Sequence, residues 1–128
     1  MDHRVLVVDD DEAVRLVIGD ALRGDGYEVR CACDGEQALT RLRAGPLPAL
    51  VLLDLMMPRV TGWQLLDEMR ASPRLRGVPV VVLTAFDSGD DVLAGQHVLH
   101  KPIDAPVLLG LVRALLGRDH MLAVAATR

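Results

Sequence analysis

Val5-Leu6-Val7-Val8-Asp9-Asp10-Asp11 decides the fold of this chain: four contiguous apolar residues run without interruption into three carboxylates. A strand covered on one face alternates apolar and polar side chains, whereas one covered on both faces is apolar throughout. Val5–Val8 therefore reads as an inner strand of a parallel sheet. The pattern recurs in Leu50–Leu53, which runs into Asp54, and in Val78–Leu83, which runs into Thr84. Tyr27–Cys33 is a further strand-like run, and Val98–Leu99, followed by His100 and Lys101, is the last.

Helical stretches separate these runs. In Glu12–Arg23, the residues Val14, Val17, Ile18, Ala21 and Leu22 fall on one stripe, with Asp11 placed to cap the start and Gly24 or Gly26 to stop the helix. Gly35–Ala44 is closed by Gly45-Pro46, and Gly62–Ala71 by Ser72-Pro73. A last helix runs from the cap Asp104 through Leu116, with Pro106 in its first turn, where its missing N–H costs little. Alternating strands and helices of this length predict an α/β fold, a doubly wound parallel sheet with helices on both faces. In such sheets ligands bind beyond the carboxyl ends of the strands.

Composition narrows the function. The 128 residues suit one domain, and with aromatics at 2% the core must be aliphatic. A formal charge of −4 lacks the electrostatic footprint of a nucleic-acid binder and argues against a basic membrane-surface patch. No apolar run approaches the roughly 20 residues a bilayer span requires, and Met1–Arg4 lacks a signal-peptide layout. Cys31 and Cys33 would share one face of a strand, a geometry for packing rather than for a disulfide, and with no second pair they make a poor zinc site. The four histidines (His3, His97, His100 and His120) are scattered and read as structural or surface residues. A reducing, cytoplasmic setting is expected.

The chemistry lies at the strand ends. Lys101 is the single lysine among 14 cationic residues, and it precedes Pro102. An ammonium is a compact point charge where a guanidinium is a broad fork, so it suits a tight phosphate-sized site. Asp9, Asp10, Asp54, Thr84 and Lys101 are all expected on one rim of the sheet. Two carboxylates 4 Å apart repel by on the order of 1 kcal/mol in water and about 4 kcal/mol at an effective dielectric near 20. A hard divalent cation in an incomplete oxygen cage, Mg²⁺ rather than Ca²⁺, would offset this. Metal, ammonium and hydroxyl together suit a phosphoryl group, with Asp54 as the nucleophile that forms an acyl phosphate.

Val-Leu-Val-Val-Asp-Asp-Asp at 5–11, Leu-Asp-Leu-Met-Met-Pro at 53–58 with Gly62, Thr84-Ala85 and Lys101-Pro102 together resemble a bacterial response-regulator receiver domain. The match runs from Arg4 to Leu116 and is similar to stand-alone chemotaxis regulators. The resemblance implies a flavodoxin-like sheet of five strands in the order 2-1-3-4-5. It implies that Asp54 accepts a phosphoryl group from a sensor histidine kinase or a histidine phosphotransfer protein. Mg²⁺ would be bound by Asp10, Asp54 and the backbone carbonyl of Met56, with Asp9 acting partly through water. Thr84 would hold a phosphoryl oxygen, and Lys101 would pair with the phosphoryl group or, before transfer, with Asp54. A cis Lys101-Pro102 bond is expected. Signalling would pass to a downstream protein target, without direct nucleic-acid or membrane contact. The chain would act as a phosphoacceptor rather than a turnover enzyme, catalysing only its own phosphorylation and dephosphorylation.

The sequence departs from the family in two places. Receivers usually carry Tyr or Phe three residues before the lysine, a position held here by Val98, which is too small to report switching through a change of burial. Only sixteen residues separate Thr84 from Lys101, fewer than is usual, so a shortened fourth helix is expected around Ser88–Gly95 with an altered output surface. Phe86 and Met56 flank the site and are expected to restrict hydrolytic water. Residues 1–118 are read as the receiver domain and 119–128 as a C-terminal tail. Two alternatives differ in class. One is a haloacid-dehalogenase-like phosphatase with Asp9 as its nucleophile, although Ala13 stands where that motif expects Thr or Val. The other is a degenerate receiver acting only as a binding module.

Overall fold

In the computed structural model, which describes residues 3–85 and 97–116, each apolar run becomes a strand. The strands are β1 (Arg4–Val8), β2 (Glu28–Ala32), β3 (Leu50–Asp54), β4 (Val80–Thr84) and β5 (His97–His100). The described helices are α1 (Glu12–Gly24), α2 (Gly35–Ala44), α3 (Gly62–Ala71) and α4 (Ala105–Leu115). All strand pairs are parallel, and the sheet order is β2-β1-β3-β4-β5. The expected short helix at Ser88–Gly95, Phe86 and the tail 119–128 lie outside the described residues.

The unbroken apolar runs have the predicted cause. Leu6, Val8, Val51, Leu53 and Val82 face a cluster completed by Ala38 and Leu42 of α2 and by Leu65 and Met69 of α3. Their neighbours Val5, Val7, Leu50, Leu52, Val81 and Leu83 face the other side, against Ile18 and Leu22 of α1 and Leu108 and Val112 of α4. With period-two alternation, both residue sets must be apolar. Each fully buried Val or Leu contributes about 1.5–3 kcal/mol relative to exposure.

Local chemistry sets the element ends. Asp11 Oδ1 accepts from the Ala13 and Val14 N–H groups, capping α1 as expected. Thr61 and Gln64 form a reciprocal capping box at α3, and Asp104 Oδ1 accepts from the Val107 N–H at α4. Two strands are shorter than the apolar runs. Tyr27 N–H goes to Leu22 O and Cys33 N–H to Gln37 Oε1, so both residues serve turns rather than β2. Val78 N–H closes a turn on Leu75 O, which leaves β4 to begin at Val80. Cys31 and Cys33 are free thiols, both partly buried.

Two arginines brace the frame at a distance from the carboxylates. Arg113 on α4 donates from Nε and Nη2 to Asp25 Oδ2 and Oδ1, at 2.8 and 2.6 Å, at the end of α1. Arg74 donates to the carbonyls of Leu42 and Gly45, the latter at 2.7 Å, satisfying acceptors that the end of α2 leaves open.

Candidate functional site: an acidic cluster at the carboxyl ends of the strands

β1 lies between β2 and β3, and the chain leaves its carboxyl end at the point where strand order reverses. A crevice opens there in open α/β sheets. Asp9 follows β1, Asp54 ends the adjacent β3, Thr84 ends β4, and Lys101 follows β5. Carboxylate oxygens of Asp9, Asp10 and Asp54 all lie within 4.8 Å of one another. Asp9, Asp54 and Thr84 are buried, while Asp10 is exposed.

The Lys101 ammonium lies 2.8 Å from Asp9 Oδ2 and 3.5 Å from Asp54 Oδ1. Its backbone N–H donates to Thr84 O at 2.8 Å, tying the end of β5 to β4, and the Lys101-Pro102 bond is cis. The expected Lys101–Asp54 pairing is therefore present as the longer of two contacts, with Asp9 the nearer partner. Asp9 is held from two further directions. Its Oδ1 accepts from the Asp11 N–H at 2.9 Å, and its backbone carbonyl accepts from Arg15 Nη1 at 2.7 Å. Asp54 Oδ1 accepts from the Met56 N–H at 3.1 Å.

Burial pushes the Asp54 carboxyl up to about 6 from an ordinary 3.8, with the Met56 N–H and Lys101 opposing and the Asp9 charge and Asp10 adding to the rise. The Lys101 ammonium is partly desolvated, which lowers its pKa. The hydrogen bond and charge of Asp9 and the charge of Asp54 outweigh this and raise it overall. Both shifts describe one imbalance, with more negative charge gathered here than a single ammonium neutralises.

The donor set fits a hard divalent cation. Asp9 Oδ2 is buried, and the cation it faces among the described residues is the Lys101 ammonium at 2.8 Å. Three carboxylates in close reach, with Asp10 open to solvent, form an incomplete oxygen cage of the kind Mg²⁺ occupies while keeping several waters.

The loop from Leu55 to Thr61 frames Asp54. Leu55 and Met57 are buried, whereas the Met56 side chain between them is 55% exposed. A Cβ at Gly62 would overlap the Asp54 carbonyl oxygen and lie 2.5 Å from Leu55 Cα, so only glycine permits α3 to start this close to Asp54. Sequence reading missed three participants. Arg15 reaches back from α1. Asp34 caps α2, its Oδ1 accepting from the Gln37 N–H at 2.7 Å, and Arg59 donates to Asp34 Oδ2 at 3.0 Å. The Asp34-Gly35 step ahead of a helix was a legible cap signal, but nothing along the chain pairs it with Arg59. Val98 packs as an ordinary apolar residue against the cluster beneath α2 and α3.

Comparison with known proteins agrees with this geometry. The response regulator receiver domain family matches residues 5–113. Response regulator PleD of Caulobacter vibrioides is 39% identical over 120 residues, covering 90% of this chain and 26% of that protein. Response regulator MprA of Mycolicibacterium vanbaalenii is 42% identical over 123 residues, covering 92% of this chain and 52% of that protein. The chain thus spans about half or less of these curated relatives. Among solved structures, the chemotaxis protein CheY4 of Vibrio cholerae superposes with a TM-score of 0.81 at 26% identity, covering 91% of this chain and all of that one. A putative response regulator from Chloroflexus aurantiacus gives 0.81 at 32% identity, covering 91% and 99%. With its acidic cluster, single lysine and strand order all in place, this chain belongs to the response regulator receiver domains of two-component signalling.

Proposed function

We propose that Asp54 is the phosphoacceptor of a Mg²⁺-dependent receiver, which takes its phosphoryl group from a phosphohistidine on a sensor kinase or a histidine phosphotransfer protein. The observation that carries this is the gathering of Asp9, Asp10 and Asp54 within 4.8 Å, with Lys101 ion-paired to both buried members. In the transfer, an Asp54 carboxylate oxygen forms a bond to phosphorus as the P–N bond breaks, and the departing imidazole nitrogen takes up a proton. Asp9, Asp10, Asp54 and the Met56 carbonyl would hold Mg²⁺, which supplies positive charge that offsets the carboxylates and the incoming phosphoryl oxygens. Lys101 supplies a second cation to those oxygens, and the Thr84 hydroxyl supplies a donor from the end of β4. The Met56 N–H orients Asp54 by holding one of its two oxygens.

The chain acts on this reading as a phosphoacceptor, not a turnover enzyme. It works in the cytoplasm and signals to a downstream protein. No described helix is long and apolar enough to cross a membrane. A phosphatase with Asp9 as its nucleophile is poorly supported, since Asp9 is fully buried with one oxygen on the Asp11 N–H and the other facing Lys101.

Acetyl phosphate with Mg²⁺ should label the peptide that holds residue 54, as read by mass spectrometry. Labelling should vanish in Asp54→Ala and with chelator. Trp63 lies in the first turn of α3, nine residues beyond Asp54, and packs on the core, so its fluorescence should respond to Mg²⁺ and then to acetyl phosphate. Labelling that survives Asp54→Ala would sink the proposal. Absence of any label in the unaltered protein would favour a binding-only receiver.

A further inference from the structure

The segment from Asp54 to Gly62 carries the nucleophile and the Met56 carbonyl, and its tip at Arg59-Val60 is fastened to a different helix. Arg59 sits at φ 63, the left-handed region that suits glycine or asparagine and that an arginine rarely adopts. From that turn its guanidinium reaches Asp34 Oδ2 at 3.0 Å, while Asp34 Oδ1 caps α2 through the Gln37 N–H. Beside this pair, Val60 presses on the start of α2 so closely that a Cβ at Gly35 would lie 2.6 Å from both Val60 Cγ1 and Val60 O. Asp34 is nearly buried, and its pKa is held below the ordinary carboxylate value by the Gln37 N–H first and, against the cost of burial, by Arg59.

A left-handed arginine persists only where its surroundings hold it. The ends and the tip of the loop are held differently. Leu55 and Gly62 tie the two ends together, with Gly62 N–H on Leu55 O at 3.0 Å, and Met57 anchors the stretch after Met56 in the core. The turn at Arg59-Val60 is the part that meets α2, and its polar tie there is the ion pair.

We propose that the Arg59–Asp34 pair is a positioning latch that docks the loop after β3 onto the start of α2 and so steadies the backbone that would offer the Met56 carbonyl to a metal ion. Neither residue touches the reacting atoms. The latch rests on the phosphoacceptor reading for its purpose, but its mechanical part is testable without metal or phosphate.

Four variants separate the latch from general destabilisation. Asp34→Asn keeps a capping oxygen and loses the charge. Arg59→Ala loses the guanidinium. Arg59→Lys restores a cation, which suffices for a single-point contact. Arg43→Gln is the control, since it removes another exposed arginine that links α2 to α3, through Glu68 at 3.1 Å. In chelator, amide exchange of Met56 should quicken in Asp34→Asn and Arg59→Ala and stay unchanged in Arg43→Gln. By calorimetry, Mg²⁺ affinity should fall about threefold in each single variant, no further in the double variant, and return in Arg59→Lys. With acetyl phosphate at saturating Mg²⁺, the maximal labelling rate should be largely restored. Unchanged Met56 exchange, or affinity losses that add in the double variant, would overturn the latch. Faster exchange in a protein that binds no Mg²⁺ even when unaltered would leave the mechanical tie intact and overturn the metal-directing role with the phosphoacceptor reading.

Discussion

Lys101 Nζ stands 2.8 Å from Asp9 Oδ2, closer than the 3.5 Å that separates it from Asp54 Oδ1. The ammonium thus bridges two buried carboxylates rather than serving Asp54 alone. Asp9 is fully buried, so removing its cation leaves a buried charge without that partner. Lys101→Met should destabilise the metal-free protein by about 3 kcal/mol in urea unfolding. Added Mg²⁺ should recover part of that loss by supplying a new counter-charge. If Lys101→Met is equally stable with and without metal, Asp9 does not share its charge with the site.

Asp54 weighs on the stability of the metal-free protein. Its carboxyl titrates near 6, against an ordinary value of 3.8, so between those values the folded state binds more protons than the unfolded one. Stability of the metal-free protein should therefore fall as pH rises from about 4 to 6 and stay low above that. Asp54→Asn should flatten this slope and raise stability at pH 7 by on the order of 1 kcal/mol while abolishing labelling. Thermal melts in chelator across that pH range provide the check.

Asp34 titrates with the opposite sign. Its carboxylate is favoured by the Gln37 N–H and by Arg59, so the folded protein holds it ionised below the ordinary value of 3.8. Its stabilisation is present above 3.8 and disappears as pH falls through the lower, folded value. Acid unfolding of Asp34→Asn should lack that contribution, giving a shallower transition below pH 3.8 than the unaltered protein.

Gly62→Ala tests how closely α3 approaches Asp54. The added Cβ would meet backbone atoms of Asp54 and Leu55, which cannot rotate aside as a side chain would. A loss of about 2–3 kcal/mol in urea unfolding is expected, with slower labelling because Asp54 must shift. Wild-type stability and labelling would show that β3 and α3 can separate at no cost.

The elements and rim residues were legible along the chain because each rests on local rules. Continuous apolar runs mark strands buried on two faces, a 3.6-residue stripe marks α1, and Asp11 and Asp104 mark its start and that of α4. Gly35–Ala44 and Gly62–Ala71 form helices with the expected bounds, while β2 and β4 came out shorter because their end residues bond to turns. Strand order was less local, since periodicity says that a sheet is parallel but not which strands are neighbours; the family resemblance supplied it.

What only the folded chain decided are distances between residues far apart in sequence. Asp9 and Lys101 meet because β1, β3, β4 and β5 align in a particular register, and a pattern of apolar residues carries no record of it. Asp34 and Arg59 are 25 positions apart and meet because the chain turns left-handed at an arginine, against its own backbone preference. Side-chain chemistry and periodicity are properties of neighbouring residues, so the chain itself specifies the elements and the groups at their ends. Which oxygen the ammonium reaches, and which helix holds the loop, depend on packing summed over the whole domain.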